Sequence, residues 1–231
     1  MPVYGPEGRL HVIRGSDQII ACPKCKGLAK HLTLSSGNDM GARVWSDGKR
    51  VAPMSPHPPY VVKCRHCGEC YWLAEAEQVG TVGPWSGKKR KVDPAWTAAL
   101  EVEEPTEEEY YLAIEKGLAT DSEQERVLRV LAWWRRNDAF CDPSPAPAGG
   151  AANLSTDCSR NLEALLSLLN HADDSKRILK AEVRRELGEF ESARQVLNGV
   201  TSSDYGNLVG QLLSMCESKD TCVREFRLGD Q

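Results

Sequence analysis

Two cysteine pairs constrain this chain more than any other feature, Cys22-Pro23-Lys24-Cys25 and Cys64-Arg65-His66-Cys67. A C-x2-C pair forms a tight knuckle that aims two thiolates at one point. Two knuckles carried by strands give the tetrahedral four-thiolate shell that Zn²⁺ prefers. Gly27 lies two residues beyond the first pair and Gly68 directly follows the second. Glycine suits the positive-φ turn through which backbone N–H groups approach the sulfurs. The pattern predicts one structural Zn²⁺ on Cys22, Cys25, Cys64 and Cys67, with no open position for a catalytic water. Cys70, His66 and the proline-loop His57 are the competing ligands. Cys70 reads as part of a strand, Cys70-Tyr71-Trp72-Leu73, and His66 as an exposed loop histidine.

The odd total of nine cysteines, four of them at metal spacing, favours a reducing, cytoplasmic setting over a disulfide framework. No apolar run reaches the roughly 18 residues of a membrane span. The first residues, Met1-Pro2-Val3-Tyr4-Gly5-Pro6-Glu7, lack the basic and apolar regions of a signal peptide. The expectation is a protein with no membrane partner.

Around the knuckles the sequence reads as β. Leu28 to Leu34 alternates, Ser35 to Asp39 is a turn, and Ser46-Asp47-Gly48-Lys49 carries the Asp-Gly signature of a tight hairpin. A proline-rich loop from Pro53 to Pro59 leads into Tyr60-Val61-Val62-Lys63 and the second knuckle. The 38 residues between the knuckles exceed what a minimal zinc ribbon needs, so the hairpin reads as an insertion that carries specificity. After the basic run Lys88-Lys89-Arg90-Lys91 the pattern turns helical. Thr106 with Glu109 makes a capping box, and Asp121 with Gln124 starts a second helix that carries Val127 to Trp134. Leu162, Leu165, Leu166 and Leu169 mark a third. Further helices are expected over Ile178–Leu187, Phe190–Leu197 and roughly Tyr205–Cys216.

Charge divides in the same way. Residues 1–92 hold 14 Lys+Arg against 7 Asp+Glu, a net of +7, and residues 93–231 hold 15 against 26, a net of −11. The predicted fold is therefore α+β, with an antiparallel β zinc ribbon over 1–92 and an all-α domain over 93–231. Lys88, Lys89, Arg90 and Lys91 beside Trp85 could contact phosphates, which makes nucleic acid a candidate partner. A solvated basic linker explains them more simply, and a sequence pI of 5.8 argues against strong nucleic-acid binding. Trp133 and Trp134 are adjacent, so a helix sends them about 100° apart, one to the core and one to an interface. Cys141, Cys158, Cys216 and Cys222 have no ligand spacing and read as ordinary reduced thiols. The acidic run Glu103-Glu104 and Glu107-Glu108-Glu109 suits the positive end of a helix dipole and needs no chemistry.

The stretch from Ala181 to Arg194 resembles a tetratricopeptide repeat at its inter-helix turn, with Gly188 closing one helix, Phe190 packing back and Ala193 admitting close approach. The layout also resembles a group of uncharacterised bacterial proteins with an N-terminal zinc ribbon and a tetratricopeptide-like C-terminal part. Ser36-Gly37-Asn38, Trp45 to Lys49, Cys64 to Trp72 and Trp133 to Asn137 carry that resemblance. It implies no activity. With no catalytic constellation in the sequence, the expected function is a non-enzymatic adaptor for an unidentified protein partner, the alternative being a nucleic-acid-binding regulator. Trp45, Asp47, His57 and Trp134 are the expected surface contacts.

Overall fold

The computed structural model describes residues 13–83, 93–141, 154–169 and 173–226. The basic run Lys88–Lys91 lies outside these residues, and the boundary expected at 92/93 falls on their edge. The described strands are β1 (Ile13–Arg14), β2 (Asp17–Ala21), β3 (Leu28–His31), β4 (Leu34–Ser36), β5 (Arg43–Val44), β6 (Arg50–Val51), β7 (Val61–Lys63), β8 (Cys70–Trp72), β9 (Glu77–Val82) and β10 (Leu100–Glu101). The helices are α1 (Pro94–Ala98), α2 (Glu107–Glu115), α3 (Ser122–Cys141), α4 (Thr156–Leu168), α5 (Asp174–Glu186), α6 (Phe190–Leu197) and α7 (Gly206–Glu217). The chain is thus mixed α+β, and it forms two units. One comprises residues 1–42 and 51–105, the other 43–50 and 106–231.

In the β unit a four-stranded sheet runs β10-β3-β2-β9. β2 pairs antiparallel with both neighbours, placing Ile20 opposite Ala29 and Gln78. β7 and β8 form a separate antiparallel hairpin with Val62 opposite Tyr71. Ile20, Cys22, Val62, Cys64 and Tyr71 bury together, so both knuckle-bearing hairpins contribute to one small core. One pairing departs from the expected antiparallel ribbon: β10 lies parallel to β3, with Leu100 opposite Ala29. The crossover that parallel pairing requires contains α1, capped by Asp93, whose Trp96 ring lies against Gly80. Bonds from Val102 N to Lys30 O (2.9 Å) and Lys63 N to Glu103 O (2.8 Å) extend this edge. Part of the acidic run is therefore strand edge rather than helix terminus.

In the helical unit the sequence signals set the helix ends. The Thr106/Glu109 capping box is formed in both directions, and Gln124 N donates to Asp121 Oδ1 at 2.8 Å. Successive helices from α2 to α7 pack against one another, and α7 also meets α5. Trp133, Leu162, Leu165, Leu169 and Val183 fill one core, while Ala181, Ala193, Leu197 and Leu212 belong to a second. At the end of α5, Gly188 takes φ 80°, with Glu189 N bonded to Arg184 O and Gly188 N to Arg185 O. That is a Schellman closure, and it lets α6 fold back over the fully buried Ala193.

The 43–50 segment is part of this helical unit. Its turn closes through Gly48 at φ 79°, and Trp45 bridges to Glu225. Ser46 N donates to Arg224 O at 2.7 Å and Phe226 N to Val44 O at 2.8 Å. Arg43 pairs with Glu225 at 2.6 Å and also lies over the Trp45 ring, 4.7 Å from its centroid. A segment near one end of the sequence is thereby stitched to one near the other.

Candidate metal centre

The turn of the β2–β3 hairpin carries Cys22 and Cys25, and that of the β7–β8 hairpin carries Cys64 and Cys67. The two turns repeat one hydrogen-bonding pattern. Lys26 N reaches Cys22 O at 3.0 Å and Cys22 N reaches Gly27 O at 2.9 Å. Correspondingly, Gly68 N reaches Cys64 O at 2.8 Å and Cys64 N reaches Glu69 O at 2.9 Å. Backbone N–H groups also point at sulfur, Gly27 N to Cys25 Sγ and His66 N to Cys64 Sγ, each at 3.4 Å. Such donors stabilise thiolates.

All four sulfurs lie within 4.8 Å of one another. The closest cross-knuckle pairs are Cys25–Cys64 at 3.6 Å and Cys22–Cys67 at 3.9 Å. A tetrahedral thiolate shell with metal–sulfur bonds of about 2.3 Å has sulfur–sulfur edges of about 3.8 Å. The four cysteines fit that shell and could hold a metal ion. Cys22 and Cys64 are buried while Cys25 and Cys67 are exposed, so the cluster sits at the rim of the small core. Burial pushes the Cys64 thiol up to about 12, whereas the Glu69 backbone N–H holds that of Cys67 below its usual value. Lys24 joins Glu69 at 2.8 Å from the opposite knuckle, and its ammonium is held above its ordinary value by that bond first and by nearby Cys67 and Cys22 second.

Of the two glycines, one matches the sequence expectation and one does not. Gly68 does adopt the left-handed turn, at φ 76°, but the equivalent residue of the first knuckle is Lys26, at φ 59°. Gly27 is needed for closeness instead, because a Cβ there would lie 2.4 Å from the His66 ring. His66 itself bonds through Nε2 to Leu28 O at 3.2 Å. It braces one hairpin on the other and is outside the cysteine cluster. Cys70 is also outside it, on β8 opposite Lys63.

The expected surface residues divide. His57 is exposed and lines a cleft of about 740 Å³ in the β unit, together with His31, Leu32, Leu34, Pro56 and Glu104. Leu32 and Leu34 are exposed large apolar residues on its wall. Sequence alternation hinted at them without saying which side of the strand would be covered. Trp45 and Asp47, in contrast, are 5% and 0% exposed. Both are corrected to core positions, because the hairpin they occupy is packed into the helical unit rather than projecting from it. Trp134 is half-buried and donates Nε1–H to Asp47 O at 2.9 Å, so it is a packing contact of the same hairpin. Trp133 is fully buried and donates to Glu186 at 2.8 Å.

No helix among the described residues is long and apolar enough to cross a membrane. Comparisons with protein-family models, with curated proteins and with solved structures returned no match to this chain.

Proposed function

We propose that this chain is a non-enzymatic adaptor in which a structural zinc ion stiffens the β unit and the cleft beside His57 takes an apolar, extended segment of a protein partner. The observation that carries the reading is a cysteine shell that is complete in itself, a few strands away from an open cleft with exposed leucine on one wall and proline on another. Four thiolates leave zinc no labile position, so the metal's contribution is rigidity. Cys22, Cys25, Cys64 and Cys67 would hold it. Prolines fix one wall of the cleft without ordering cost, and Leu32 and Leu34 offer apolar area to a docking side chain.

Charge supports a protein partner over nucleic acid. Residues 1–42 and 51–105 hold 11 Lys+Arg and 10 Asp+Glu, and 11 − 10 leaves a net of +1. The +7 counted over residues 1–92 shrinks because 43–50 takes +2 to the helical unit and 93–105 brings −4. Four thiolates and one Zn²⁺ add −2, making the unit slightly negative and a poor match for phosphates. The helical unit, with its tetratricopeptide-like turn at Gly188, would serve as a second contact surface.

The test is selection from a peptide library on the zinc-loaded full chain, beside the variant carrying Leu32→Glu and Leu34→Glu. Enriched apolar peptides that lose binding at least tenfold to the variant, with metal content and melting temperature unchanged, are the expected result. Peptides that bind both proteins equally, or an absence of enrichment, would overturn the cleft as the binding site.

A further inference from the structure

The helical unit encloses an excess of buried acid. Asp47, Glu182 and Glu186 are 0%, 0% and 3% exposed, and of the described residues Arg185 is the one buried cation set among them. Arg185 is already committed, with Nε on Glu182 Oε2 at 2.7 Å and Nη2 on Glu182 Oε1 at 2.6 Å. Nη1 and Nη2 also donate to the carbonyls of Asp220 and Cys222 respectively. Asp47 and Glu186 share a different partner, the side-chain nitrogen of Asn137, which donates to Asp47 Oδ2 at 3.0 Å and to Glu186 Oε1 at 3.1 Å. Trp133 Nε1 donates to the other Glu186 oxygen, and Lys49 N to Asp47 Oδ1 at 2.9 Å. Among the described residues, the donors that hydrogen-bond this carboxyl pair are therefore all neutral.

We propose that Glu186 carries a proton at neutral pH, which removes its repulsion with Asp47 and so lets the Asn137 amide latch the 43–50 hairpin onto α3 and α5. Three carboxylates around a single guanidinium would leave two uncompensated charges out of water, and taking up a proton is the cheaper state. The surrounding groups do not reverse that count. On the hairpin Lys49 turns its ammonium to Asp138 of α3 rather than to Asp47. Also from α3, Arg136 donates to the Asn137 oxygen at 3.1 Å, and the Cys141 thiol is itself held neutral by burial. From α4 the neighbouring group is the Cys158 thiol, likewise held neutral by burial, and from the C-terminal segment the nearby charge is Asp220 beside Arg185. Burial first, and Glu182 second, push the Glu186 carboxyl up to about 8, and burial pushes Asp47 up to about 6.

The sign follows from linkage. The folded chain holds this proton more tightly than the unfolded chain, whose glutamate titrates near 4.5. The contribution is therefore complete below about 4.5 and is lost as pH rises toward about 8, by about tenfold in the folding constant per pH unit. Acidification from pH 8 tightens the latch.

The experiment is equilibrium unfolding of the full zinc-loaded chain from pH 5 to pH 9, beside Glu186→Gln, together with a carbon-13 titration of the wild-type glutamate carboxyls. The ratio of the variant's folding constant to the wild type's is expected to climb by about tenfold per pH unit until it levels near pH 8. The Glu186 carboxyl carbon should move near neutrality. A ratio independent of pH, a slope that follows Asp47→Asn instead, or Glu186 titrating with ordinary glutamates would each overturn the proposal. The wild-type titration decides the matter if Glu186→Gln does not fold.

Discussion

The β unit and the helical unit stabilise themselves by opposite means. The β unit gathers Ile20, Val62 and Tyr71 around two cysteines, and its second pair of thiols is at the surface. For a core this small a cross-linking ion is the usual remedy against chain entropy. The helical unit buries Trp133, Leu128, Leu162, Leu165 and Leu169 completely, and it can absorb the buried ions of Glu182 and Arg185 besides. Where apolar volume is scarce, a metal ion held by the four cysteines would specify the fold. Where it is abundant, the chain tolerates costly polar groups in its interior.

Removing the ion should break this contrast most sharply. A structural zinc ion is worth about 10–16 kcal/mol to a small domain, so a strong chelator, or Cys64→Ser, is expected to unfold the β unit. Amide exchange would then show protection lost over 17–42 and 51–82 and kept over 43–50 and α3 to α7. Uniform loss, or none, would show that the two means of stabilisation are not separate. Next comes the buried ion pair. Arg185→Leu strands Glu182 and frees the carbonyls of Asp220 and Cys222, and should cost about 3–5 kcal/mol in denaturant midpoint analysis. A cost below about 1 kcal/mol would mean that water already reaches the pair. Leu165→Ala, which opens a cavity in the same unit, is expected to cost about 2–5 kcal/mol, with metal content unchanged.

Smaller effects test the turns. Lys26 in the first knuckle and Lys219 after α7 both hold left-handed backbone, at φ 59° and 53°. Lys26→Gly and Lys219→Gly should each stabilise by about 1 kcal/mol, the first read as slower zinc loss to a chelator and the second as a higher melting temperature. The weakest effect is acid sensitivity at Asp174. Its carboxylate accepts Ser202 N at 2.8 Å and Thr201 N at 3.0 Å, and pairs with Arg177 at 2.7 Å. The Ser202 N–H first and Arg177 second hold it down to about 2. Because the folded value is depressed, its contribution is present above the unfolded value near 3.8 and disappears as pH falls through about 2. The stability gap between wild type and Asp174→Asn should close over that window, the reverse of the trend at Glu186.

Local chemistry was legible in the sequence and distant pairing was not. The cysteine pairs, the Thr106 capping box, the Asp47-Gly48 turn and the Gly188 helix stop are each decided within a few residues, and each is present. Gly27 was recognisable as important, but its reason was not, because the ring that crowds it comes from His66, 39 positions on. The surface assignment of Trp45 and Asp47 failed for the same cause. A hairpin sequence states how it turns, while what covers it depends on Asn137, Glu186 and Arg224, at separations of 90 or more residues. The parallel lie of β10 beside β3 is equally invisible to alternation, which reports a buried face and not a strand direction.

The stitching of 43–50 to the residues around Arg224 bears on the order of events during synthesis. The ribosome makes Trp45 and Asp47 long before it makes Asn137, Glu186 or Glu225, so the hairpin emerges with its buried face uncovered. The β unit can close as soon as residue 105 is out, whereas the helical unit must wait for Arg224, 178 residues after Ser46. Contacts of such long range slow folding. The nascent chain therefore carries Trp45 without its Glu225 bridge until residue 225 has been made, with a hydrophobic face open to other chains over that interval.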